Sequence, residues 1–207
     1  NLRCKWGDTL CDTPYTSHEP EKGDLLSIDT IYEKILAFNK PNINHVVITG
    51  GEPFLHEDTV RLIELLTYKN YLVTVETNGT LLPYFTGVPS QIFLSISPKL
   101  SSSTPKGSVF AETHEKARII KDRIFERLPA YNHIFKFVVH DDKDIQEIKQ
   151  MIQKRKINKD KIYLMPEGIT SEDIRKGMQK LAPICMENGW HLSDRLHLHL
   201  FGNKRGV

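Results

Sequence analysis

Two rhythms of apolar and polar residues run along this chain. Short apolar runs rich in β-branched and aromatic residues recur at His45 to Gly50, Tyr71 to Glu76, Gln91 to Ser97, Ile134 to His140 and Lys161 to Pro166. Runs of this length and composition predict strands buried on both faces. Between or after them lie stretches of helical period: Ile28 to Phe38, His56 to Thr67, Ala111 to Leu128, Asp144 to Lys156 and Ser171 to Asn188. Ser27, Asp141 and Ser171 stand where helix caps belong, with Asp173 in the first turn of the last helix. Leu196 to Phe201 alternates leucine with histidine, which predicts a final short strand with His197 and His199 on one face. Strand then helix, repeated, predicts parallel βα units.

In a barrel of such units the functional groups gather at the carboxyl ends of the strands. Gly50, Gly51 and Glu52 follow one predicted strand, Thr77, Asn78 and Gly79 the next, and Ser97, Pro98 and Lys99 the third. His140 closes another, and Pro166 and Glu167 the last. Turn chemistry explains any one of these, since Gly, Asn, Ser and Pro gather after strands generally. Their recurrence in register favours a common site.

A chain of 207 residues suits one domain, and no stretch reads as a linker. The formal charge of +2 is too small to argue for a nucleic-acid partner. No apolar run approaches membrane-spanning length and the start lacks a signal-peptide segment, so a cytoplasmic protein is expected. The three cysteines, Cys4, Cys11 and Cys185, make a poor disulfide framework. Cys4 and Cys11 suit a metal or redox site, whereas Cys185 on an amphipathic helix reads as a small buried apolar residue. Gly50-Gly51-Glu52-Pro53 allows a ligand close approach to bare backbone and offers a carboxylate acceptor; it is equally a strand-to-helix turn with an acid near the helix start.

NLRCKWGDTLCDT, at the start of the chain, together with ITGGEP at Ile48 to Pro53, resembles the cluster-binding and cofactor-binding elements of the radical S-adenosylmethionine (SAM) superfamily. The resemblance implies an α/β fold, an incomplete TIM-type (β/α) barrel whose first strand precedes Asn1. It also implies a four-iron four-sulfur cluster, held by Cys4, Cys11 and a third cysteine ahead of Asn1, with one iron open to SAM. The usual C-x3-C-x2-C spacing would put a cysteine at Gly7, which cannot ligate iron. Either Gly7 to Leu10 is an insertion that moves the ligand to Cys11, or the ligand is lost; the repetition of Gly7-Asp8-Thr9 in Cys11-Asp12-Thr13 suits the insertion.

Longer stretches resemble the 7-carboxy-7-deazaguanine synthase family: Cys11 to Thr16, Val75 to Thr80, Ser95 to Lys99, Lys136 to Val139, Leu164 to Gly168 and Arg195 to Val207. That family converts 6-carboxy-5,6,7,8-tetrahydropterin to 7-carboxy-7-deazaguanine with release of ammonia, for queuosine and other deazapurines. SAM acts there as a regenerated cofactor, and Mg²⁺ sits near the substrate carboxylate. Transferred position by position, the resemblance places Leu10, Cys11, Asp12, Gly50, Gly51, Glu52, Asn78, Ser97, Lys99, Met165, Pro166 and Glu167 around SAM. It places Thr13 on Mg²⁺, and Thr49 and Val207 near the pterin. A flavodoxin- or ferredoxin-type electron donor and a homodimer are family expectations. Rival readings are a radical SAM activase of glycyl-radical enzymes, which shares the cysteine loop and GGEP but not SPK or the chain ending, a scaffold that has lost its cluster, and a zinc module. Lys136 points inward or outward according to strand parity, which the sequence leaves open.

Overall fold

The computed structural model describes residues 2–11, 13–19, 21, 23–38, 42–86 and 89–204. The chain opens with a hairpin, β1 (Lys5–Trp6) and β2 (Thr9–Leu10), then a short helix, α1 (Pro14–Ser17). Helix α2 (Ile28–Phe38) leads into β3 (His45–Ile48), α3 (Asp58–Tyr68) and β4 (Leu72–Thr77). After β5 (Ile92–Ile96) come α4 (Ala111–Ala117), α5 (Asp122–Arg127) and β6 (Asn132–Val139). The rest is α6 (Asp142–Arg155), β7 (Ile162–Pro166), α7 (Ser171–Asn188), β8 (His191–Leu192) and α8 (Leu196–Phe201).

Strands β3 to β8 form one six-stranded sheet in sequential order, with every pair parallel. Sequential parallel order is the arrangement of a (β/α) barrel, here open between β3 and β8 among the described residues. The expected α/β partial barrel is thus observed. At the β3 edge Val47 is 52% exposed, whereas Val73 and Val75 on β4 are buried.

Side-chain parity separates two layers. Val73, Val75, Leu94, Phe135, Phe137, Ile162 and Leu164 are buried toward the helices, together with Ile63, Leu66 and Ile148. Burying each such side chain stabilises by roughly 1.5–3 kcal/mol. Phe125 of α5 stacks on Phe135 at 5.9 Å between ring centroids. The opposite parity, Glu76, Ser95, Lys136, Val138 and Met165, faces the concave side, which settles Lys136 as inward.

Three sequence expectations need correction. The helix predicted over Ala111 to Leu128 is two helices: Lys121 is extended and Ile120 is buried, a break that no Gly or Pro announces. The cap of α7 is Thr170, whose hydroxyl accepts from Asp173 N–H at 3.1 Å, and Ser171 instead donates to the Leu198 carbonyl. Leu196 to Phe201 is α8, a helix, not a strand: buried Arg195 donates to the Gly168 carbonyl at 2.6 Å, His199 contacts Asp194, and Leu198 turns inward while Leu196 and Leu200 stay exposed. His197 and His199 therefore do not form a strand-face pair, and the last strand is the shorter β8.

Candidate active site

A cavity of about 450 Å³ opens on the concave side of the sheet at the carboxyl ends of the strands. Its floor and walls come from Thr49, Gly50 and Gly51 after β3, Glu76, Thr77 and Asn78 at the end of β4, Ser97 and Lys99 after β5, and Met165 and Glu167 at the end of β7. The hairpin and α1 close one side with Cys4, Trp6, Leu10, Cys11 and Thr13, and the segment from Ser193 to His197 closes another.

The hairpin is built from the four residues that disturb the cysteine spacing. Gly7, at φ +57°, makes the two-residue turn with Asp8, and the register pairs Trp6 with Thr9 and Lys5 with Leu10. Continued one step, it sets Cys4 opposite Cys11, whose N–H donates to the Cys4 carbonyl at 3.1 Å. Residues opposite one another share a face, so the turn brings together two thiols seven positions apart in sequence. Burial is the largest cause that pushes the Cys4 thiol up; Lys99 opposes it and the neighbouring Cys11 adds to it. The hydroxyl of Thr13 lies 3.5 Å from the Cys11 sulfur.

Not every residue of the sequence expectation reaches the cavity. Leu10, Cys11, Thr13, Thr49, Gly50, Gly51, Asn78, Ser97, Lys99, Met165 and Glu167 line it. Pro166 has the other parity and packs against Gly177 of α7. Glu52 is buried behind the wall: one carboxylate oxygen accepts from Thr77 Oγ1 at 2.7 Å and Phe54 N–H at 3.2 Å, the other from Asn78 N–H at 2.8 Å. It holds the loops after β3 and β4 together. Asp12 and Val207 lie outside the described residues.

Sequence reasoning missed Glu76, Trp6 and His114 and left the direction of Lys136 open. Glu76 and Lys136 form an ion pair on the cavity floor at 2.9 Å, with Thr49 donating to the second carboxylate oxygen at 3.1 Å. Burial works against the Glu76 charge, but Lys136, Thr49 and Lys99 together hold its carboxyl below the usual range. Their parity, polar among apolar neighbours on central strands, was the available signal. Trp6 is 7% exposed and its indole N–H is without a partner among the described residues. His114 of α4 is buried with Nε2 3.5 Å from the Cys4 sulfur, and no local pattern announces it.

Residues 1–91 match the Radical SAM superfamily model. The chain is 35% identical over 217 aligned residues to the 7-carboxy-7-deazaguanine synthase of Rhodopirellula baltica, covering 100% of this chain and 77% of that protein. It is 34% identical to the synthase of Halobacterium salinarum, covering 98% and 80%. The crystal structure of QueE from Escherichia coli superposes with a TM-score of 0.60 at 22% identity, over 94% of this chain and 81% of that one, a likeness of fold.

Proposed function

The chain belongs to the 7-carboxy-7-deazaguanine synthase family of radical SAM enzymes, and from that premise we propose that it converts 6-carboxy-5,6,7,8-tetrahydropterin to 7-carboxy-7-deazaguanine with release of ammonia, in queuosine or related deazapurine biosynthesis. The observation that carries this reading is the pair of cysteines set opposite one another in the wall of a cavity floored by strand ends.

The family implies a four-iron four-sulfur cluster and SAM, and the residues present fit both. Thiolates suit iron-sulfur ligation, and the buried Trp6 N–H has no acceptor among the described residues, which suits a wall built around a bound group. A Cβ added at Gly50 would stand in open space, so bare backbone faces the cavity there. Held by Cys4 and Cys11, a reduced cluster would supply the one-electron chemistry that cleaves SAM and starts hydrogen abstraction from the pterin.

Cys4 and Cys11 would ligate two of the irons, with Cys11 as the displaced ligand. Gly50, Gly51, Asn78, Ser97, Lys99, Met165 and Glu167 surround SAM, with Lys99 drawn toward Ser97 at 3.0 Å and placed to meet a carboxylate. Glu52 acts one layer out, fixing Asn78 through its backbone. Thr49 and the Glu76–Lys136 pair meet the substrate, offering acceptor and donor side by side to a heterocycle rich in both. Thr13 would offer one hard oxygen to a Mg²⁺ ion. A flavodoxin- or ferredoxin-type protein delivers the electron to a cytoplasmic homodimer.

The test is anaerobic turnover of the full-length protein, reconstituted with iron and sulfide and given SAM, Mg²⁺, a reductant and the carboxytetrahydropterin. The expected result is 7-carboxy-7-deazaguanine, lost with Cys11→Ala. A brown, SAM-cleaving protein that ignores the pterin overturns the substrate; a Cys11→Ala variant that keeps full iron overturns the displaced ligand.

A further inference from the structure

The Cys4 side chain does not end in the cavity alone. Its sulfur contacts Nε2 of His114 at 3.5 Å, across 110 residues of sequence, and both side chains are nearly inaccessible, at 4% and 2% exposure. His114 is held from behind. Its Nδ1 lies 3.3 Å from the Thr104 hydroxyl, which donates to Glu115. Glu115 is fixed by Arg118 at 2.8 Å, and Arg118 bonds Glu147 at 2.7 Å and the Lys99 carbonyl at 3.2 Å. These contacts lock α4 to the segment after β5, so the imidazole cannot swing away without breaking a network.

We propose that in the cluster-loaded enzyme His114 donates an N–H hydrogen bond to the Cys4 sulfur and thereby raises the reduction potential of the cluster. An iron-bound thiolate is an acceptor only, so the ring nitrogen facing it must carry the hydrogen. The Thr104 hydroxyl, which here donates to Glu115, then turns its hydrogen to Nδ1 at the loss of that bond, and Glu115 keeps Arg118. Ser103, whose hydroxyl donates to the Leu100 carbonyl at 2.7 Å, also hydrogen-bonds the Cys4 thiol, so the imidazole is one of two side chains that reach the sulfur. A donor on a ligand sulfur withdraws charge that accumulates on reduction, and so favours the reduced cluster. His114 is a positioning residue acting through Cys4. This inference rests on the reading that Cys4 ligates iron.

The experiment is an anaerobic potentiometric titration of the reconstituted protein, followed by electron paramagnetic resonance of the reduced cluster, with iron and sulfide counted for each variant. His114→Leu, similar in bulk and without a donor, is expected to lower the reduced-to-oxidised ratio at fixed potential about tenfold, or about 59 mV for one electron. His114→Gln, whose amide nitrogen reaches a comparable position, is expected to restore most of it. Thr104→Val, which removes the partner of Nδ1, is expected to shift the ratio the same way by less; it carries the test with His114→Gln should His114→Leu fail to fold. A loaded His114→Leu, or in its absence a loaded Thr104→Val, with the wild-type ratio overturns the hydrogen bond alone. A Cys4→Ala variant that keeps full iron overturns the ligand reading, and the bond with it.

Discussion

Replacing Glu52 with glutamine preserves the shape of a side chain that is 3% exposed and exchanges one acceptor for a donor. The carboxylate accepts hydrogen bonds from Thr77 Oγ1, Phe54 N–H and Asn78 N–H. In either amide orientation the new NH₂ faces a backbone N–H that cannot accept, so at least one buried donor is orphaned. The expected cost is about 1–3 kcal/mol, read as a Tm lower by about 2–12 °C for a chain of this size. Because the loops after β3 and β4 carry Gly51 and Asn78, SAM affinity should fall together with stability. The assay is thermal and urea unfolding of the wild type and the Gln variant beside calorimetric titration with SAM. Unchanged stability with a large loss of affinity would refute the buried-staple argument and restore Glu52 as a direct ligand of the SAM ammonium.

Burial is the largest influence on Glu52 and holds its carboxyl above the 4.5 usual for glutamate, against the bonds from Asn78, Thr77 and Phe54. The folded state therefore binds its proton more readily than the unfolded chain, and Glu52 contributes stability that is fully present below pH 4.5 and lost as pH rises through the folded value. The margin of wild type over Glu52→Gln should shrink on raising pH through that window, measured by urea unfolding at several pH values. Gly79→Ala should destabilise by about 2–4 kcal/mol in the same assay, from a strained positive φ and overpacking less a small gain from the unfolded chain. The added Cβ would stand 2.6 Å from Ile96 Cγ2 at φ +78°. Gly7→Val, a β-branched residue at φ +57°, should lower iron bound per chain after reconstitution while leaving the main unfolding transition within about 0.5 kcal/mol.

Much of this architecture could be read in the sequence because the central strands are covered on both sides. LVTVET, IFLSI and IYLMP are apolar enough to be recognised without partners, and in a parallel sheet each must be followed by a crossover. The residues just past them were legible as a site for the same reason, since topology alone carries strand ends to one face. What sequence could not supply was the direction of side chains fixed by distant contacts. Glu52 sits in the most recognisable motif of the chain, yet its carboxylate turns away from the cavity because donors on two loops await it there. Leu196, Leu198 and Leu200 alternate as a strand would, but buried Arg195 anchors the turn before them and the helix keeps only Leu198 inside. His114 lies 110 positions from the cysteine it touches, and only the fold joins them.

Gly7 shows the reverse case, where a local departure from pattern becomes intelligible only through backbone geometry. As a missing ligand it argued against a cluster; as a hairpin turn it sets Cys4 and Cys11 opposite one another. A loss of function would leave no reason for a tight turn to keep the two thiols in register, nor for Trp6 to be buried with its N–H turned to no partner among the described residues. The same four residues that break the spacing restore the proximity that the spacing serves.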